Sequence, residues 1–141
     1  ASHAINRAYS PHLAPLGLTY PQYITLTLLR DRDGQPVGAL ADALTMESST
    51  LTPLIKRLEA HGHVERRRGT ADELQVFVHL TPKGRDVLEA APGITACMTR
   101  DTGLDDATLA LLVERLATLT ANLQAAAGTP TGRTKSARAR A

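Results

Sequence analysis

Apolar residues recur along this chain at two different periods, and the place where the period changes is the main clue to its architecture. Ala4, Ile5, Ala8 and Tyr9 share one side of a helix over residues 2 to 13, which Pro11 and Pro15 interrupt. Pro21 suits a first helical turn, and Tyr23, Ile24, Leu26, Leu28 and Leu29 follow as a largely buried helix ending near Asp31, before Asp33-Gly34 turns the chain. Val37, Leu40, Ala41 and Leu44 mark a short helix from Val37 to Leu44. After Thr45-Met46-Glu47 a second helix runs from about Ser48 to Ala60, with Leu51, Leu54, Ile55 and Leu58 inward, and Gly62 stops it. Pro53 is tolerable only near a helix start, which places that boundary close to Ser48 or Ser49. The period then falls to two. Leu74, Val76, Val78 and Leu80 alternate with Gln75, Phe77 and His79 as a half-buried strand, and His63 to Arg68 is its antiparallel partner across a turn containing Gly69 and Asp72. Thr81-Pro82 opens another helix through Val87 and Leu88 towards Pro92. From Asp105 to Ala126, Leu109, Leu112, Val113, Leu116, Leu119 and Leu123 form an apolar stripe wider than so small a core needs, so part of it is expected to pack against a second subunit.

Two short helices joined by a tight turn and followed by a hairpin predict a mostly α fold with a small β-hairpin wing (α+β). This is a winged helix-turn-helix with a helical dimerisation region. A length of 141 residues fits one domain. We expect it to span residues 1–127, with a DNA-binding lobe at 35–82 and dimerisation helices at 1–30 and 83–127; residues 128–141 form a flexible basic tail. Aromatics at 3% leave an aliphatic core. The single Cys excludes an internal disulfide framework, and no apolar run approaches the roughly 18 residues of a membrane span. A cytoplasmic location, with no membrane partner, is the simplest expectation. The chain shows no glycine-rich phosphate loop, no paired-carboxylate motif and no base adjacent to Cys97, so neither an enzyme nor a cofactor is expected. His61, His63 and His79 are spread over a helix end and two strands, which suits surface histidines better than a metal site.

Net charge is only +2, yet its distribution is informative. The last fourteen residues carry Arg133, Lys135, Arg138 and Arg140 and no acid, which leaves the rest of the chain with 12 bases against 14 acids. On that slightly acidic remainder, Lys56, Arg57, Arg66, Arg67 and Arg68 face only Glu59 and Glu65 within one short stretch. In a winged helix the second helix enters the major groove, where polar residues of its first turns reach base edges and phosphates. Ser48, Ser49, Thr50, Thr52 and Pro53 stand at that end, Lys56 and Arg57 lie one to two turns later, and Arg66, Arg67 and Arg68 ride on the ribbon, which can reach an adjacent minor groove. Each signal alone has a bland account in helix capping or a solvated face. Their order within forty residues points to double-stranded DNA as the partner.

The segments Leu16-Gly17-Leu18-Thr19-Tyr20-Pro21-Gln22-Tyr23, Ser49-Thr50-Leu51-Thr52-Pro53-Leu54-Ile55-Lys56-Arg57-Leu58-Glu59, Asp72-Glu73 and Leu80-Thr81-Pro82-Lys83-Gly84 resemble the MarR (multiple-antibiotic-resistance regulator) family, and within it the organic-hydroperoxide-resistance regulators, OhrR. The likeness runs from Ala1 to about Gln124. It implies a homodimeric transcriptional repressor of an oxidative stress response, released from a pseudo-palindromic operator when organic hydroperoxide oxidises a cysteine. In that subgroup a reactive Cys near the N-terminus is held as a thiolate by tyrosine hydroxyls of the partner subunit. Tyr9 and Tyr20 occupy the matching tyrosine positions, and by register the sensor Cys falls about six residues before Ala1. Cys97 matches the resolving Cys of the two-cysteine subgroup; its alternative is a small buried apolar residue among Ile94, Ala96 and Met98. Arg30 stands where the subgroup usually has Trp, and Leu74 where the wing usually has Arg. The other reading of the same scaffold is a MarR-type regulator released by a small aromatic or phenolic ligand without redox chemistry.

Overall fold

The computed structural model describes residues 2–71, 74–90 and 93–128. They form two compact units, one ending at Met98 and one beginning at Thr99. The first holds α1 (Ser2–Leu13), a 3-10 turn (Ala14–Leu16), α2 (Tyr20–Asp31), β1 (Gln35–Pro36), α3 (Val37–Leu44), α4 (Ser48–Ala60), β2 (Val64–Arg68), β3 (Val76–Leu80) and α5 (Pro82–Glu89). A further helix, α6 (Ile94–Thr102), runs across the division, and α7 (Asp106–Gly128) belongs to the second unit. The fold is mostly helical with a small antiparallel sheet, as the two periods predict. No helix among the described residues is long and apolar enough to cross a membrane.

Local chemistry explains the boundaries. Pro11 lies inside α1 rather than ending it, and Gly17, at φ 68°, terminates the segment after the 3-10 turn. At the start of α2, Thr19 and Gln22 form a reciprocal capping box: the Gln22 N–H donates to Thr19 Oγ1 at 3.4 Å and the Thr19 N–H to Gln22 Oε1 at 3.0 Å. Such a cap contributes about 1 kcal/mol and fixes the angle at which the chain enters the helix. Leu13, Leu18, Tyr23, Leu26 and Leu29 then meet Leu40, Leu51, Ile55 and Leu58 from α3 and α4, together with Val64, Val78, Leu80, Leu88 and Ile94, in one buried core. That aliphatic cluster is what seats α4, since its polar side has nothing to bury.

The sheet order is β1-β3-β2, with Gln35 opposite Val78 and Val64 opposite Leu80. The two-residue β1 carries no readable period, and Pro36, lacking an N–H, belongs at an edge. Asp33 anchors the turn before it, accepting the Leu80 N–H at 2.7 Å. One expectation fails in the hairpin. Leu74 is not an inward strand residue: it is 93% exposed, and β3 begins at Val76. The ladder ends at Arg68 opposite Val76, and the Gly69 N–H donating to the Gln75 carbonyl at 2.8 Å closes the loop before Leu74 can join it. Asp72 of the expected turn lies outside the described residues, as does Pro92.

His63 is also a correction, because it is buried rather than a surface histidine, and its Nδ1 has no hydrogen-bond partner. It sits beneath α5, which approaches closely because Gly84 has no side chain there. Burial, reinforced by Lys83 and His61, pushes its pKa below the ordinary histidine value and favours the neutral ring.

In the second unit, Asp105 caps α7 by accepting the Thr108 N–H at 2.7 Å, a bond that holds its carboxyl below the ordinary range. No residue of α7 is buried, and Leu112, Leu116, Leu119 and Leu123 are about half exposed. Of the basic tail expected over residues 128–141, Gly128 is instead the last residue of this helix, and residues 129–141 lie outside the described residues.

Candidate nucleic-acid interface

α4 is presented by α3 through a tight turn in which Thr45 takes a left-handed conformation (φ 53°) and the Met46 N–H returns to the Ala41 carbonyl at 2.9 Å. Leu51, Ile55 and Leu58 face the core, so the helical period turns Ser48, Ser49, Thr50, Pro53, Lys56 and Arg57 outward, and all six are exposed. Thr52 is half-buried and its hydroxyl donates to the Ser48 carbonyl at 2.8 Å. Glu47 occupies the cap position without a side-chain hydrogen bond. The Thr50 N–H already donates to the Glu47 carbonyl at 2.9 Å, so it is the Ser48 and Ser49 amides that are left to an outside acceptor, at the end of the helix where the backbone dipole favours an anion.

The far end of α4 is clasped by α5. Thr81 Oγ1 donates to the Gly62 carbonyl at 2.6 Å, Lys83 Nζ to the His61 carbonyl at 2.7 Å, and the Thr81 N–H to the His63 carbonyl at 3.1 Å. Gly62 reverses the chain at φ 77° between them. The Thr81-Pro82-Lys83-Gly84 segment therefore locks the junction at which the helix hands over to the wing.

On β2 the three arginines do not behave alike. Arg66 turns back to α4, its Nε donating to Glu59 Oε2 at 2.8 Å and its backbone N–H to Glu59 Oε1 at 3.2 Å. Arg67 points to the other face and pairs with Glu65 at 3.0 Å, which lowers the Glu65 carboxyl pKa and raises that of Arg67. Lys56, Arg57 and Arg68 have no carboxylate within 4.0 Å among the described residues. Ser48, Thr52 and Arg66 come together around a groove of about 560 Å³, floored by Val37, Ile55 and Val76. Among the described residues no cluster of His, Cys, Asp and Glu has the arrangement of a metal site.

The expected redox residues fall in two places. Tyr9 and Tyr20 are in contact between α1 and α2, ring centroids 4.7 Å apart, with Tyr23 6.1 Å from Tyr9. Burial, and then the neighbouring phenols, raise the pKa values of Tyr9 and Tyr20, so both hydroxyls keep their protons and can donate. Cys97 is half-buried on α6 and lines a different cleft, of about 210 Å³, with His12, Leu16 and Ile94. Sequence reasoning passed over Glu59 and Tyr23 as members of these sites. Tyr23 carried a signal in the spacing Tyr20-Pro21-Gln22-Tyr23, whereas Glu59 carried none, because its partner is reached only after the chain has reversed.

Residues 7–91 match the family described as Transcriptional regulator SarA/Rot. The chain is 44% identical over 131 residues to the HTH-type transcriptional regulator TtmR of Methylorubrum extorquens, a match covering 91% of this chain and 66% of that protein, just under two thirds of its length. It is 35% identical over 108 residues to the organic hydroperoxide resistance transcriptional regulator of Bacillus subtilis, covering 74% of each. Among solved structures, reduced AbfR bound to DNA superposes with a TM-score of 0.73 at 31% identity, covering 86% of this chain and 85% of that one; overoxidized AbfR bound to DNA gives 0.70 at 33%, covering 84% of each. AbsC, a MarR family regulator from Streptomyces coelicolor, gives 0.76 at 26% identity, covering 88% of this chain and 87% of that one.

Proposed function

This chain belongs to the MarR/SarA-Rot family of DNA-binding transcriptional regulators, and we propose that it is a homodimeric repressor that leaves a pseudo-palindromic operator when organic hydroperoxide oxidises a cysteine. The observation that carries the DNA-binding half is the uncapped polar front of α4 beside an arginine-bearing strand. In this reading residues 35–82 form the DNA-binding lobe, and the helical segments 1–30 and 83–127 hold two copies together. Ser48, Ser49, Thr50, Thr52 and Pro53 read base edges in the major groove, Lys56 and Arg57 meet phosphates, and the β2 arginines address the neighbouring minor groove.

The redox half is supported by the likeness to the Bacillus subtilis hydroperoxide regulator and by the adjoining phenols of Tyr9 and Tyr20. Hydroperoxide transfers one oxygen to a sensor thiolate, giving a sulfenic acid and the alcohol. The Cys97 thiol then condenses with the sulfenic acid to form a disulfide and water. A disulfide holds its Cα atoms about 4.4–6.8 Å apart, so closing one between distant cysteines moves helices and shifts the two recognition helices off register. The test is operator release by the full-length protein. Cumene hydroperoxide should release it and dithiothreitol should restore binding, while Cys97→Ser should bind normally when reduced and over-oxidise irreversibly. Unchanged retention after peroxide would remove the redox reading and favour release by a phenolic ligand.

Lys56→Ala should weaken binding to specific and random duplex alike and lower the salt slope by about one unit, whereas Ser49→Ala and Thr52→Ala should alter sequence preference. Fluorescence anisotropy over a salt series measures both, and equal losses on every duplex for all three variants would contradict the placement of α4.

A further inference from the structure

The pair formed by Glu59 and Arg66 crosses from the outer side of α4 to the wing, and its geometry is unlike that of an incidental surface contact. One carboxylate engages a single residue twice, through the side-chain Nε at 2.8 Å and the backbone N–H at 3.2 Å. Both side chains are about two-thirds sheltered. β2 is an edge of the sheet, paired on one side with β3 only, so the Arg66 N–H points outward and would otherwise await a partner. Glu59 fills that place and ties the open edge of the strand to the helix. An acid in this position has an electrostatic cost, because it stands among Lys56, Arg57, Arg66, Arg67 and Arg68, where phosphates are to be met.

We propose that Glu59 is a positioning residue that fixes the angle of the wing against the recognition helix, and that Arg66 serves DNA binding through this pair rather than by touching a phosphate. The inference rests on the DNA-binding reading and narrows it. Neutralised by Glu59, Arg66 has no net charge to offer the backbone and releases no counterion. Arg68 lies on the same face of β2, one strand repeat or roughly 7 Å nearer the hairpin tip. It is the arginine that the pair aims.

The test compares Glu59→Ala, Arg66→Gln, the double variant and Arg68→Gln by fluorescence anisotropy, on a duplex selected by the parent protein and on random duplex, over a salt series. Calorimetry on each variant reads the fold separately. Removing an acid from a DNA-binding face ordinarily tightens binding, and alanine favours the helix. Glu59→Ala is nevertheless expected to weaken specific binding about tenfold with little change in thermal midpoint. Arg66→Gln should lose at least as much, because it also leaves the Glu59 carboxylate bare before the phosphates, and the double variant should be no weaker than either. The salt slope should stay unchanged for the double variant, which removes the pair without changing net charge, and fall by about one unit for Arg68→Gln. Tighter binding by Glu59→Ala, additive losses in the double variant, or a slope lowered in the double variant would each overturn the proposal. Failure of the parent protein to prefer any duplex would instead remove the reading on which it rests.

Discussion

Gly84→Ala is expected to lower the thermal midpoint by roughly 6 to 12 °C, the equivalent of about 2 to 3 kcal/mol of overpacking in a chain of this size. A Cβ at this position would overlap the backbone carbonyl oxygen of His63 and stand 2.8 Å from Leu80 Cδ1. A flexible side chain could step aside, but this carbonyl is pinned because it accepts the Thr81 N–H at 3.1 Å. Gly84 is itself held from the other side, its N–H donating to the capping Thr81 Oγ1 at 3.1 Å. Relief therefore requires α5 to back away from β2, which breaks the clasp on Gly62 and uncovers the buried His63 ring. Scanning calorimetry measures the shift, with Gly38→Ala as a matched control because a Cβ there meets nothing within 4 Å. An unchanged midpoint for Gly84→Ala would show that α5 moves freely and that the junction is not locked.

Leu116→Glu is expected to convert the protein to single chains at micromolar concentration and to weaken specific DNA binding by roughly a hundredfold or more. Twenty-three residues form α7, none is buried, and a leucine-rich side is left about half open to water. Monomeric proteins rarely expose so much contiguous apolar surface, and in the proposed homodimer a second copy related by a twofold axis would cover it with the same patch. A carboxylate in the middle of the stripe would have to be desolvated at that contact, at a cost of several kcal/mol. Each duplex would then be held by one recognition helix instead of two. Analytical ultracentrifugation and anisotropy read the two effects. A variant that remains dimeric with full affinity would mean that α7 takes no part in pairing.

What could be read in advance follows the range of the interactions concerned. The limits of α3 and α4 come from local signals: Leu40, Ala41 and Leu44, then Leu51, Ile55 and Leu58 at helical spacing, with Gly62 at the stop. The start of α2 is equally local, written in Thr19, Pro21 and Gln22. The hairpin was legible because the period changes, but alternation alone does not say where pairing ends, and Leu74 continues the pattern one step past the ladder. β1 is too short to have a pattern, and the sequence reading offers no helix between Pro92 and Asp105, where α6 lies. The buried state of His63 and the differing partners of Arg66 and Arg67 depend on which residues meet after the chain folds back. Composition showed a basic ribbon, and only the geometry distinguishes the arginine tied to the helix from those facing outward.

The most direct measurement is selection of bound sequences from a random duplex library by the reduced, full-length protein. A twofold-symmetric motif should emerge, with half-sites about one helical turn apart and two chains on each duplex. A lone asymmetric motif bound by one chain, or no enrichment over the starting library, would contradict the account.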